Sequence, residues 1–337
     1  MRMVDWANLE AYPLSLLLDK LEEHIDHVRF GVVCKSWLSI AKLNHKNHQF
    51  RINALPMLMS HMHTISQTNK RSLYSIISEK EYPIQLSHPS IIESKTCLGC
   101  SHGWLALVDD NKAITLVNPF KSSIAPISLP HLQSVYKVTL SADPITSPSD
   151  YVVAAIYSIG FLAFKRATQS FWIRVNSNEF HFTDVVFYKG LIFADWLRET
   201  IVSFKFNNPP CNDSNDPNFT YYEKIASTPY IDPEQSYYGC RAYFLKSLTG
   251  DIWMVRRYKV DEHSFKLHVY KLQLDTQSGK LEQMKKLESL ENNILFVANH
   301  GDSISASASC FSKLEKDSIY FVYQGNQNDL GLEIYNV

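Results

Sequence analysis

Residues 103–120 read GWLALVDDNKAITLVNPF: a glycine, an apolar run, a polar turn, and a second apolar run closing on Asn118, Pro119 and Phe120. Asp and Asn favour turns, and Trp, Val, Ile and Leu suit a buried pleated surface, so the stretch reads as a β-hairpin about Asp109-Asp110-Asn111. The layout recurs. Gly160 opens FLAF-KRATQ-SFWIRV and Gly190 opens LIFADW-LRE-TIVSFKF, and in all three copies the second strand begins ten residues after the glycine, at Ala113, Ser170 and Thr200. Looser copies start at Gly250 and Asp317. A hairpin with two apolar faces cannot bury both alone, and stacking copies in a ring solves this with only short edges, as in a β-propeller. Roughly twenty candidate strands suffice for five or six blades at about four strands each. The starts at 103, 160, 190, 250 and 317 are too uneven for a regular array, so an irregular propeller is expected over 55–337, with a two-sheet sandwich as the rival.

Composition agrees with a packed fold. The 337 residues are 45% hydrophobic and only 20% charged, and with 11 glycines against 18 tyrosines and 18 phenylalanines, disorder and low complexity are excluded. Lys plus Arg is 33 and Asp plus Glu 34, so the net charge of -1 gives no reason to expect a nucleic-acid or anionic-membrane partner. The longest uncharged apolar stretch, Tyr151 to Phe164, falls short of the ~20 residues that a spanning helix needs. The start, MRMVDWANLE, lacks the apolar run of a signal peptide. The six scattered cysteines suggest no disulfide framework, and a cytoplasmic or nuclear location is expected.

Ahead of the hairpins, Leu14, Leu17, Leu18 and Leu21 fall at i, i+3, i+4 and i+7 behind Pro13, which a helix tolerates in its first turn. Asp26 can cap a second helix carrying Val28, Val32 and Val33, and Trp37, Leu38, Ile40 and Ala41 suggest a third. Residues 44–54 are polar and mildly basic, and read as a linker. A module of about 40 residues without metal or disulfide is too small to bury its own apolar surface, so either the rest of the chain or a partner should cover it.

Trp6, Leu9, Pro13 to Leu18, Leu21, Asp26, Arg29-Phe30 and Val33-Cys34-Lys35-Ser36-Trp37 resemble an F-box, over residues 5–43. Cys100-Ser-His-Gly-Trp-Leu105, then Leu116-Val-Asn-Pro-Phe120 and Asp184-Val-Val-Phe-Tyr-Lys-Gly190, resemble the plant F-box family whose C-terminal half is a divergent kelch-like propeller. The resemblance implies a target-recognition subunit of an SCF-type cullin-RING ubiquitin ligase, with the helices docked on a Skp-type adaptor and the propeller holding an unidentified protein target. It carries adaptor contact onto Leu9, Pro13, Leu17, Leu21, Val33, Cys34 and Trp37. The start departs from the family pattern, since Leu9-Glu10-Ala11-Tyr12-Pro13 stands where a compact Leu-Pro pair is expected.

Such a receptor needs no catalytic residue and no cofactor. No GxSxG, HExxH, P-loop or GxGxxG pattern occurs. Cys97-Leu98-Gly99-Cys100 has zinc-ligand spacing but lacks a second pair, so no metal is expected. Arg256-Arg257 and Lys285-Lys286 read as solvated strand residues. Trp104, Trp172, Trp196 and Trp253 each sit in a hairpin, where packing is the default and target contact the alternative for any that is exposed. The competing functions are a masking protein that binds without ubiquitination, and a propeller hydrolase such as a glycosidase with a deep carboxylate-lined pocket.

Overall fold

A computed structural model describes residues 6–21, 23–46, 57–63, 69–83, 87–93, 95–175, 181–196, 200–206, 222–229, 241–261, 264–311, 313–324 and 330–337. Most of the 44–54 segment lies outside them, as does the start of the expected propeller at 55 and 56. Three helices come first: α1 (Ala11–Leu18), α2 (His24–Gly31) and α3 (Lys35–Lys46). Leu14 and Leu18, one turn apart on α1, are buried with Phe30 of α2, and Leu9, Leu21, Trp37, Ile40 and Ala41 pack around them. The helix-capping expectation for Asp26 is corrected: Glu23 holds the N-cap position of α2 in an extended conformation. Asp26 lies inside the first turn, where a carboxylate meets the positive end of the helix dipole, and it holds Arg29 at 3.1 Å.

The rest of the described chain is mainly strands, in five hydrogen-bonded sheets, of which the eight-stranded one divides into two units of four. The first has three strands, β1 (Leu58–His63), β2 (Asn69–Ser75) and β3 (Lys80–Pro83), followed by the single-turn helix α4 (Pro89–Glu93). Three antiparallel meanders of four follow. They are β4 (Thr96–Ser101) to β7 (Ile127–Leu129), β8 (Val135–Leu140) to β11 (Ile173–Arg174), and β12 (Phe182–Tyr188) to β15 (Tyr222–Pro229). A fourth meander, β16 (Arg241–Lys246), β17 (Ile252–Lys259), β18 (Phe265–Leu274) and β19 (Leu281–Lys286), adjoins the last sheet. That sheet comprises β20 (Asn293–Ala298), β21 (Ser303–Ser307), β22 (Ser318–Gln324) and β23 (Leu330–Asn336), in the order β21-β20-β22-β23.

The uneven repeat has a structural cause. The copies at Gly103, Gly190 and Gly250 are the second and third strands of their sheets, whereas those at Gly160 and Asp317 are the last two. His102-Gly103 and Lys189-Gly190 both have positive φ, the conformation of a two-residue hairpin turn, so these glycines close the preceding hairpin. In the β8–β11 sheet the equivalent turn is the long segment 141–151 and no glycine marks it. The second strand of the Gly160 copy begins at Ile173, after Ser170.

Packing between successive sheets replaces the single core of a sandwich. Along β9 (Val152–Tyr157), Val153 and Ala155 face the β4–β7 sheet and Val152, Ala154 and Ile156 face the β12–β15 sheet. The apolar run from Tyr151 to Phe164 is thus a strand pair buried on both sides. Similar clusters join the third meander to the fourth and the fourth meander to the last sheet. The N-terminal sheet completes the ring: Ile76 and Ile77 in its β2–β3 turn pack on the last sheet, and Met59 of β1 packs with Ile92, Leu105 and Leu107 beside the first meander. The last sheet departs from a meander, because β20 pairs with β22 in parallel and β21 lies beside β16 through Leu245–Ser303 and Lys246–Ile304.

Candidate functional site

Among the described residues, the helical module keeps an apolar surface open. Leu17 is 39% and Val33 55% exposed, and Tyr12, Leu16, Val28, Val32 and Leu38 are exposed as well. These residues sit on α1 and from α2 into the start of α3. Among the described residues, Ser78 Oγ donates to Glu23 at 3.4 Å and the Arg29 guanidinium lies 5.7 Å from the Tyr82 ring centroid, which links the module to the first sheet.

The seven residues singled out in the sequence divide between this surface and the module's interior. Leu17 and Val33 are exposed, and Pro13 and Cys34 are half-buried, with the Cys34 thiol 4.0 Å from the Ala7 carbonyl. Leu9, Leu21 and Trp37 pack inward. Trp37 packs against Phe30 with the rings tilted by 40° and their centroids 4.5 Å apart, and it donates its Nε1–H to the Trp6 carbonyl at 3.0 Å. Helical spacing alone put Leu14, Leu17, Leu18 and Leu21 on one stripe. Tyr12 and Leu16 were missed because they fall off that stripe, and Val32, read as part of the second helix, stands exposed at its C-cap.

The axis of the ring is filled rather than open. Lys137 on β8 donates to Asp184 on β12, and both are buried. The carboxylate also accepts the Phe244 N–H of β16 at 2.6 Å and the Val185 N–H at 2.8 Å. Burial works against the Lys137 ammonium, but Asp184 and Asp302 outweigh it and hold its pKa above the ordinary lysine value. The β20–β21 turn enters from the last sheet. Asp302 accepts from Thr139 at 2.9 Å and its N–H donates to the Cys100 carbonyl at 3.0 Å. Tyr243 donates to Asn299 at 2.8 Å, and His300 Nδ1 lies 2.9 Å from the Tyr136 carbonyl. Three meanders, the fourth sheet and the last are thereby tied across the centre.

Gly99 shows how tight the ring is, since a Cβ there would lie 2.2 Å from the Val138 carbonyl oxygen of β8. Cys97 and Cys100 flank the β-bulge at this point of β4. Among the described residues, no group of three or more His, Cys, Asp or Glu side chains is placed to hold a metal ion.

Trp104, Trp172 and Trp253 are buried between sheets and Trp196 is half-buried. Trp104 donates to Asp143 at 2.9 Å and Trp172 to the Pro130 carbonyl at 2.7 Å. The exposed rings on the sheets are Phe120, Tyr136 and Phe171. The reading of Arg256-Arg257 as solvated is corrected: Arg256 is 3% exposed and lies 3.8 Å from Asp195, and the Arg257 guanidinium lies 3.4 Å from the Phe265 ring centroid. The strand they occupy, β17, is packed on both faces, with Trp253 and Val255 in one buried cluster and Ile252 and Met254 in another.

A family model described as the KIB1-4 beta-propeller matches residues 73–336. The chain is 25% identical to an F-box/kelch-repeat protein of Arabidopsis thaliana over 94% of this chain and 82% of that one. A second F-box protein of the same plant is 21% identical, covering 100% of this chain and 92% of its own. F-box protein SKIP23, also from Arabidopsis thaliana, is 24% identical over 57% of this chain and 53% of its own.

Proposed function

This chain belongs to the KIB1-4 β-propeller family, with F-box helices at its N-terminus and F-box proteins among its relatives; from that premise we propose that it is the target-recognition subunit of an SCF-type cullin-RING ubiquitin ligase. The F-box docks on a Skp-type adaptor and the propeller holds a target protein, in the cytoplasm or nucleus. The carrying observation is the apolar surface of Leu16, Leu17, Val28, Val32 and Val33, which the rest of the chain leaves exposed. Exposed apolar patches of this kind mark protein interaction sites. The mechanism is proximity: a tethered target meets the ubiquitin carrier at a high effective concentration, so the subunit is non-catalytic. The most buried axial carboxylate, Asp184, fits that role, since it is occupied by one ammonium and two backbone N–H groups and serves the ring.

Binding of the full chain to a purified Skp-type adaptor tests this reading. Burying an apolar side chain of this size contributes about 1.5–3 kcal/mol, so the exposed fractions of Leu17 and Val33, 39% and 55%, together contribute about 2 kcal/mol. Leu17→Ala with Val33→Ala should therefore weaken adaptor binding roughly 30-fold with helix content unchanged. Trp37→Ala, by contrast, should lose helical signal as well as binding. A folded wild-type chain that fails to bind, or a Leu17/Val33 variant that binds as well, sinks the proposal.

A further inference from the structure

A cavity of about 370 Å³ opens where three neighbouring sheets meet, and its lining includes Arg166, Lys189 and Lys246 with Asp150 as its one carboxylate. The cations come from three separate elements. Arg166 ends β10, Lys189 occupies the β12–β13 turn with φ 46°, and Lys246 ends β16. Among the described residues, no carboxylate lies within ion-pair distance of Lys189 or Lys246, and the Lys189 ammonium rests 5.1 Å from the Tyr188 ring centroid. Asp251, on the turn that follows Lys246, holds Lys271 at 2.7 Å and also feels the Lys189 charge, from beyond ion-pair distance.

Three cations and one acid around a concave, low-dielectric wall focus a positive potential, which the whole-chain charge of -1 conceals. Exposed apolar side chains occur close by in the chain: Phe171 comes three residues after Thr168, a lining residue, and Leu248 two residues after Lys246. A partner that reaches this surface must bring negative charge for the cavity and apolar contact for its flanks.

We propose that this cavity receives an anionic side chain, a carboxylate or a phosphate, presented by an extended segment of the target protein. The proposal rests on the target-recognition reading and gives that reading a location and a chemistry. Lys189 and Lys246 donate charge-assisted hydrogen bonds to the anion, and Arg166 adds its positive charge to the wall.

The test uses the full chain and three fluorescein-labelled hexapeptides of matched length, one with glutamates, one with phosphoserines and one with glutamines at the same positions, read by fluorescence polarisation. At low ionic strength the anionic probes should bind at least tenfold more tightly than the glutamine probe, with the gap shrinking in high salt. Lys189→Glu with Lys246→Glu should remove at least tenfold of that affinity, and Lys316→Glu, an exposed lysine outside the cavity, should remove little. Binding of both anionic probes marks general anion recognition, and binding of the phosphoserine probe alone marks phosphate as the source. Equal binding of all three probes, or equal losses in the Lys316 and Lys189/Lys246 variants, overturns the proposal. Adaptor binding is measured on the same preparations, so that adaptor capture without anion binding defeats the cavity alone, and absence of adaptor capture defeats the receptor reading.

Discussion

Asp184→Ala removes the acceptor at which β8, β12 and β16 meet. Three donors lose their partner: the Lys137 ammonium, the Phe244 N–H and the Val185 N–H. Lys137 is 5% exposed and Asp184 is the first of the charges that hold its pKa up, so the variant leaves a buried ammonium opposed by its own desolvation with Asp302 as the remaining carboxylate acting on it. Breaking a buried pair from one side costs about 3–5 kcal/mol. For a domain of this size each kcal/mol shifts the midpoint by about 2–4 °C, so Tm should fall by about 6–20 °C. The assay is thermal and urea unfolding followed by tryptophan emission, for which Trp104 and Trp253 are buried reporters. Lys137→Met with Asp184→Leu removes both charges and should cost at least ~2 kcal/mol less than the sum of the two single changes, because neither charge is then stranded. Strictly additive single effects, or a loss below about 1 kcal/mol for Asp184→Ala, would refute the claim that this pair ties the ring.

Two further outcomes follow from local geometry. Gly99→Ala forces a methyl group to within 2.2 Å of the Val138 carbonyl, where backbone must move, and should cost about 1–3 kcal/mol in urea unfolding; an unchanged midpoint would mean that β4 and β8 are less closely apposed. Burial holds the His27 imidazole below its ordinary pKa, against the opposing pulls of the Leu21 carbonyl, Asp26 and Asp19. The unfolded chain therefore binds the extra proton first, and the helical module should lose stability as pH falls from about 6.5 through the lowered value. Ellipticity at 222 nm during denaturant titrations at pH 7.5 and 5.5 reads this, and a slope that persists in His27→Phe would assign it to other groups.

What the sequence revealed depended on the range of each interaction. The hairpins were legible because turn chemistry and apolar runs are local, as in Asp109 accepting the Ala113 N–H at 2.9 Å within one turn. The phase of the repeat was not, because the β8–β9 connection carries no glycine and the copy at Gly160 resembled the others by composition alone. The F-box motif located the helices, yet periodicity could not tell Leu17, which is exposed, from Leu18, which is buried, since adjacent positions of one stripe diverge only once α3 packs against them. Lys137, Asp184 and Asp302 belong to three different sheets, and so do Arg166, Lys189 and Lys246. No spacing rule links such residues; the ring brings them together.

The contrast between those two sets of charges bears on function. At the axis the charged and polar groups are matched, with Asp184 holding Lys137 and Asp302 holding Thr139, so they act on one another and keep the sheets in place. At the rim Lys189 and Lys246 face a cavity with a single carboxylate, and on the helices Val32 and Val33 face outward with no apolar cover. A chain that matches its charges inside and leaves two outer surfaces unmatched presents those surfaces to other molecules. Their chemistries are opposed, one apolar and one cationic, so one partner surface of uniform character cannot satisfy both. The proposed reading assigns the two surfaces to two partners, and the Glu23–Ser78 and Arg29–Tyr82 contacts link the helices to the first sheet. On that reading one chain joins two different molecules, which is what a recognition subunit must do if a target is to be kept within reach of a separate catalytic assembly.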